Sequence, residues 1–132
     1  IQARAGKSIP QIFADDGEAA FRQLEAETCA QAAAHCHTVI AVGGGALLDP
    51  GVRNLLVQQG VIICLTCALD EIIRRVGDDA DRPLFSSDAD ALAALFAKRA
   101  EHYASLPHHL DTTHLSPDAA AEEVLRLWHQ LR

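Results

Sequence analysis

The stretch Thr38-Val39-Ile40-Ala41-Val42-Gly43-Gly44-Gly45-Ala46 decides how this chain reads. Five residues, four of them apolar, run straight into three glycines. A short continuous apolar run bounded by glycine suits a strand buried on both faces, as in a parallel sheet, so a strand is predicted over 38–42. Glycine amides approach a ligand closely and take dihedrals closed to other residues. In open α/β sheets, ligands bind just beyond the carboxyl ends of strands. A tight turn into the next helix needs one glycine rather than three, so Gly43, Gly44 and Gly45 are read as facing a ligand.

Towards the C-terminus, Leu48-Asp49-Pro50 is a helix start, with Asp49 as cap and Pro50 at the first helical position. That helix ends near Gln59-Gly60 and gives way to a second apolar strand over 61–65. Asp70 to Val76 is helical, with Arg74 and Arg75 in the last turn, where cations suit the helix dipole. Residues 77–87 are polar, lack periodicity and are punctuated by Gly77 and Pro83, as expected of a lid or binding loop. Arg82 stands in the middle of this loop, next to the proline.

A long helix is predicted from Asp88 to about Leu106, with Leu92, Leu95, Phe96 and Tyr103 on one face. Arg99 falls on that same face, and an arginine on an inward stripe must find an anion or snorkel out. Pro107 ends the helix, 108–111 reads as a short strand, and Ser116-Pro117 starts a last helix carrying Ala121, Val124, Leu125 and Trp128.

Towards the N-terminus, residues 6–14 read as a helix start, capped by Ser8 with Pro10 in the first turn. Asp15-Asp16-Gly17 breaks it, and a second helix runs from Glu18 to about Ala34. Its expected inner stripe is Phe21, Leu24, Thr28 and Ala32. Arg22 lies beside the stripe, with Glu25 three residues on, within pairing distance.

The 132 residues suit one domain with a real core, and 49% hydrophobic against 22% charged residues is ordinary for a globular protein. Eighteen acids against eleven Lys and Arg give a net charge of −7, which argues against a nucleic-acid partner and an anionic membrane surface. No apolar run reaches the length of a membrane span. Cys64 and Cys67 form a C-x-x-C with no second pair at zinc spacing, so Cys29, Cys36, Cys64 and Cys67 are read as buried free thiols suited to a reducing cytoplasm. His102, His108, His109 and His114 lie close in sequence but lack the helical spacing of a metal motif.

Alternation of strand and helix gives an α/β fold with a parallel sheet. Arg22, Arg82 and Arg99 come from three different elements, and arginine forks suit carboxylate and phosphate. The pattern describes a pocket for a small anionic ligand beneath an arginine-bearing lid.

These residues resemble the shikimate kinase family over nearly the whole chain. The resemblance rests on Gly6-Lys7-Ser8-Ile9 through Ile12-Phe13, Gly17-Glu18-x-x-Phe21-Arg22-x-x-Glu25, Val42-Gly43-Gly44-Gly45, Arg82-Pro83-Leu84, Arg99-x-x-x-Tyr103 and Asp111-Thr112. It implies a three-layer αβα fold of the P-loop NTP hydrolase kind, like nucleoside monophosphate kinases, acting as a cytoplasmic monomer in aromatic amino-acid biosynthesis. The implied reaction is phosphorylation of the 3-hydroxyl of shikimate by ATP with Mg2+. Arg22 and Arg99 would hold the shikimate carboxylate, with Glu25 orienting Arg22, and Gly43, Gly44 and Gly45 would meet the hydroxyls through the backbone. Arg82, in a lid at about 77–87, would contact the ATP phosphates and stabilise charge on the transferring group. Arg75 would pack on adenine, with Pro117 in the loop on the same side. Phe85 stands where the family usually has Leu.

The family's phosphate loop, G-x-x-x-x-G-K-[ST], would fall roughly 25–30 residues before Ile1, together with an Asp-x-Asp that supplies the base and a metal contact. Gly6-Lys7-Ser8 copies only its last letters. The chain over 1–132 is therefore expected to be an N-terminally truncated domain of a protein of roughly 165–170 residues. Its sheet, ordered 2-3-1-4-5 in the family, would show an open slot or a rearrangement; a closed, fully paired sheet would contradict this. The alternative reading is a degenerate paralogue that binds shikimate without ATP chemistry. A gluconate kinase is a weaker third, because the triple glycine and the two carboxylate-side arginines fit it less well.

Overall fold

A computed structural model describes residues 1–76 and 89–131. They fall into two compact units, residues 1–60 and residues 61–76 with 89–131. The expected lid at about 77–87, with Arg82, lies outside the described residues.

The first unit is helical. A short helix α1 (Gln2–Ala5) leads through Gly6 to α2 (Ile9–Asp15). Ser8 caps α2 as predicted: its Oγ accepts from Gln11 N at 3.4 Å, and Gln11 Oε1 accepts from Ser8 N at 2.9 Å. This reciprocal pair satisfies two amides that a helix start would leave open. Gly17, at φ +84°, turns the chain into α3 (Gly17–Ala33). Phe13 of α2 meets Phe21 of α3 with ring centroids 4.7 Å apart. The buried face of α3 is Phe21, Glu25, Cys29 and Ala33, one position round from the stripe expected through Leu24, Thr28 and Ala32. Glu25, a charged residue that a hydrophobic stripe passes over, is the reason: it is turned inward with its partner Arg22.

The strand expected over 38–42 does not form. No ladder runs through these residues, and Val39 is 93% exposed. An apolar run becomes a strand only where a neighbouring strand takes its amides and carbonyls, and none of the described strands does so here. A single 3-10 turn, Ala46–Leu48, then leads to α4 (Pro50–Gln59). Asp49 caps α4 by accepting from Val52 N at 3.0 Å, with Pro50 at the start as read from the sequence. Ile12, Phe21, Cys29, Ala46, Leu47, Val52 and Leu56 form the core of this unit.

The second unit carries the sheet. Strand β1 (Ile63–Thr66) is followed by α5 (Leu69–Val76), α6 (Ala89–Ala104), β2 (His108–Asp111) and α7 (Pro117–Gln130). The two strands pair in parallel, with Ile63 opposite His108 and Thr66 opposite Asp111. Parallel strands need a crossover, and the helices between β1 and β2 belong to it. Among the described residues the sheet has these two strands alone, so a closed, fully paired sheet is not observed. Ser116 caps α7 through Ala119 N at 3.2 Å, with Pro117 in the first helical position.

Candidate functional site

In the first unit, α3 presents Arg22 and Glu25 on adjacent turns. Arg22 Nη1 donates to Glu25 Oε2 at 2.6 Å. Its Nε and Nη2 donate to Glu18 Oε1 at 3.3 and 3.2 Å. Glu25 is only 7% exposed, so the pair is held in a partly desolvated place where a charge-assisted bond is strong. Burial works against the Arg22 charge, yet Glu25 and Glu18 outweigh it and hold the guanidinium above its usual range. Among the described residues, two of the five guanidinium N–H donors take no partner, one on each terminal nitrogen. That is the pair a carboxylate takes in bidentate fashion.

The glycine loop lies against this ion pair. A Cβ built on Gly45 would sit 2.5 Å from Arg22 Nη1 and 2.8 Å from Nη2. A Cβ on Gly43 would lie 3.4 Å from Glu25 Oε1. Gly45 therefore has to be glycine for Arg22 to rest where it does. The triple glycine and Arg22, read from separate stretches, do converge. Gly44 and Gly43 are exposed while Gly45 is buried.

In the second unit, Arg99 stands in the last half of α6 and is 9% exposed. It does not snorkel to solvent, and among the described residues it has neither an ion pair nor a side-chain hydrogen bond. A buried cation without a counter-charge is costly, and an anionic ligand is the ordinary remedy. Leu95, Phe96 and Tyr103 share its partly covered face, as read from the sequence, while Leu92 has no described side chain.

Beyond the carboxyl ends of β1 and β2 the chain forms a polar knot. Thr112 N and Oγ1 both donate to Thr66 O, at 2.8 and 2.9 Å. Ala68 N donates to Thr113 Oγ1 at 2.9 Å, and Thr113 N and Oγ1 donate to Asp111 Oδ1 at 2.9 and 2.6 Å. The two bonds from Thr113 hold the Asp111 carboxyl below its usual range. Arg75 closes the knot, its Nη2 donating to Thr112 O at 2.8 Å and Thr113 O at 3.2 Å. Glu71, and the pairing of Glu18 with Arg22, were not read from the sequence. The signal was there: each glutamate stands four residues before its arginine on a helix, the favoured order for an ion pair.

The cysteines are free, but Cys36 is exposed rather than buried, because it falls in the turn after α3 instead of within the helix. Burial pushes the Cys29 and Cys64 thiols up. Among the described residues no group of three or more His, Cys, Asp or Glu side chains could hold a metal ion. The motif G-x-x-x-x-G-K-[ST] does not occur in the 132 residues. No described helix is long and apolar enough to cross a membrane.

The family model described as "Shikimate kinase" matches residues 1–128. Among curated proteins, the chain is 37% identical to shikimate kinase from Geobacter metallireducens, over 90% of this chain and 68% of that protein. It is 42% identical to the one from Synechococcus elongatus PCC 7942, over 79% of this chain and 55% of that protein. It is 40% identical to the one from Xanthomonas axonopodis pv. citri, over 100% of this chain and 76% of that protein. The chain thus spans a little over half to about three quarters of the relatives it matches. Among solved structures, shikimate kinase from Acinetobacter baumannii in complex with shikimate aligns with a TM-score of 0.87 at 26% identity, covering 99% of this chain and 75% of that one. The enzyme from Aquifex aeolicus aligns with a TM-score of 0.78 at 29% identity, over 98% of this chain and 77% of that one. The α/β fold is therefore of the P-loop NTPase kind that the family resemblance implied.

Proposed function

The chain belongs to the shikimate kinase family, and on that premise we propose that the protein it comes from transfers the γ-phosphoryl group of ATP to the 3-hydroxyl of shikimate. The observation that carries this reading is the Arg22–Glu25 pair seated on Gly45, a carboxylate-binding fork built into a partly buried place. Arg22 and Arg99 hold the substrate carboxylate. The amides of Gly43, Gly44 and Gly45 meet its ring hydroxyls. Glu25 and Glu18 orient the Arg22 fork before substrate arrives, so little side-chain entropy is lost on binding. Arg75 and Pro117 belong to the nucleotide side, and Arg82, in the lid segment over about 77–87, contacts the transferring phosphate.

ATP is the co-substrate, and Mg2+ is the metal expected with it. Oriented cations that stabilise charge at the transferring group are the main contribution a protein makes to such a reaction. The protein works as a cytoplasmic monomer in aromatic amino-acid biosynthesis. The non-catalytic paralogue keeps only the shikimate side of this site, and no observation favours it. The test is direct. The intact protein, given ATP, Mg2+ and shikimate, is expected to form shikimate 3-phosphate and ADP in equal amounts. Shikimate binding without phosphoryl transfer would replace the kinase reading with the paralogue.

A further inference from the structure

Arg75 is held in an unusual way for a half-exposed arginine. Its Nε donates to Glu71 Oε1 at 2.7 Å, its Nη1 to Thr112 Oγ1 at 3.4 Å, and its Nη2 to Thr112 O and Thr113 O. Four of the five N–H donors around its edge are thus taken by the protein. The side chain is still 37% exposed. A guanidinium whose edge is occupied offers a ligand chiefly its flat faces, and a flat face stacks on a planar ring. It stands beside the turn that follows β2, at the carboxyl ends of two parallel strands, where open α/β sheets bind ligands.

We infer that Glu71 is the positioning residue that turns Arg75 into a stacking platform for the nucleotide base. The inference rests on the kinase reading and deepens its nucleotide side. Glu71 is largely covered, at 16% side-chain exposure, and its carboxylate is bonded at both oxygens. Oε2 accepts from Arg74 Nε at 2.6 Å, and Oε1 accepts from Arg74 Nη2 at 2.6 Å as well as from Arg75 Nε. Bonds from Arg74 and Arg75 hold the carboxyl down to about 2, so it is charged at any physiological pH. Two contacts set the plane of Arg75: Glu71 from within α5, and the Thr112–Thr113 carbonyls from the far side. Without Glu71 the guanidinium keeps only the carbonyl side and swings about it. The platform reads no base edge, because almost no donor is left to read one. It contributes stacking, and base selectivity has to come from elsewhere.

The experiment is a double-mutant cycle on the intact protein, read as KM for ATP, KM for shikimate and kcat. Glu71→Ala and Arg75→Ala are each expected to raise KM for ATP about tenfold, the scale of one lost stacking partner, with shikimate KM and kcat little changed. Glu71→Ala/Arg75→Ala together are expected to do no more than either alone, because Glu71 acts through Arg75. Glu71→Gln, which keeps an acceptor for Arg75 Nε, is expected to recover KM for ATP to within about threefold. A rise with Arg75→Ala but not with Glu71→Ala, or full additivity of the two, would overturn the role of Glu71 and leave the kinase reading intact. No rise with either would remove Arg75 from the nucleotide side. Failure of the unsubstituted protein to phosphorylate shikimate would overturn the kinase reading itself, and this inference with it.

Discussion

Gly45 is the residue on which the shikimate side turns. A Cβ there would come within 2.5–2.9 Å of the Arg22 guanidinium, inside van der Waals contact, so the end of the Arg22 side chain has to leave its place. Forcing an extra carbon into a packed place costs roughly 1–3 kcal/mol. Gly45→Ala is therefore expected to raise KM for shikimate about tenfold or more. Gly60→Ala, where an added Cβ meets nothing within 4 Å, is expected to leave it unchanged. Steady-state kinetics on the two variants side by side checks this, and equal behaviour would mean that Arg22 rests elsewhere. Glu71 makes a prediction of a different kind. Its carboxyl lies lower in the folded protein, at about 2, than the ordinary value of 4.5. A lowered folded value favours the charged form, so the stabilisation is fully present above pH 4.5 and fades as pH falls toward 2. Melting temperatures taken between those limits are expected to fall more gently for Glu71→Gln than for the unsubstituted protein. Parallel curves would place the acid sensitivity at other carboxylates.

At the scale of elements, the helix starts are the firmest features. Asp49→Ala removes the acceptor for Val52 N and is expected to cost ~1 kcal/mol, seen as a fall in melting temperature of about 4 °C. No change would mean that water replaces the cap. Ser8, Asp49 and Ser116 could all be read from the sequence because a cap is local: its acceptor and donor lie within three residues. The helices from Glu18, Pro50, Asp70 and Pro117 were legible from local periodicity and end signals, and the strand at 108–111 also forms as read, while the expected helix start at Asp88 lies outside the described residues. What failed was non-local. Whether 38–42 becomes a strand depends on a neighbour far away in sequence, and an apolar run carries no record of its partner. The face of α3 was misjudged by one position because Glu25 is buried for the sake of Arg22, and hydrophobic patterning scores a glutamate as exposed. In the site, Arg22, Arg99 and the glycines were legible as types able to bind an anion. Their setting against Gly45, and the burial of Arg99, depend on packing that spacing alone does not encode.

At the scale of the whole chain, the first unit has a consolidated core and the second is held more by polar bonds at its strand ends. Ile12 is fully buried between α2 and the elements around it, while Leu65 in β1 is 56% exposed. The excess negative charge, −7 overall, makes the cationic residues at 22, 75 and 99 local exceptions. The proposed carboxylate-binding roles of Arg22 and Arg99 lead to one prediction. The most direct measurement is the affinity of the intact protein for shikimate, titrated calorimetrically without nucleotide, for the unsubstituted protein and for Arg99→Ala and Arg22→Ala. Each loss of a charge-assisted contact is expected to weaken shikimate binding by roughly 10- to 150-fold while KM for ATP stays nearly constant. Equal losses for both ligands would make the arginines structural, and unchanged shikimate affinity would contradict the carboxylate-binding account outright.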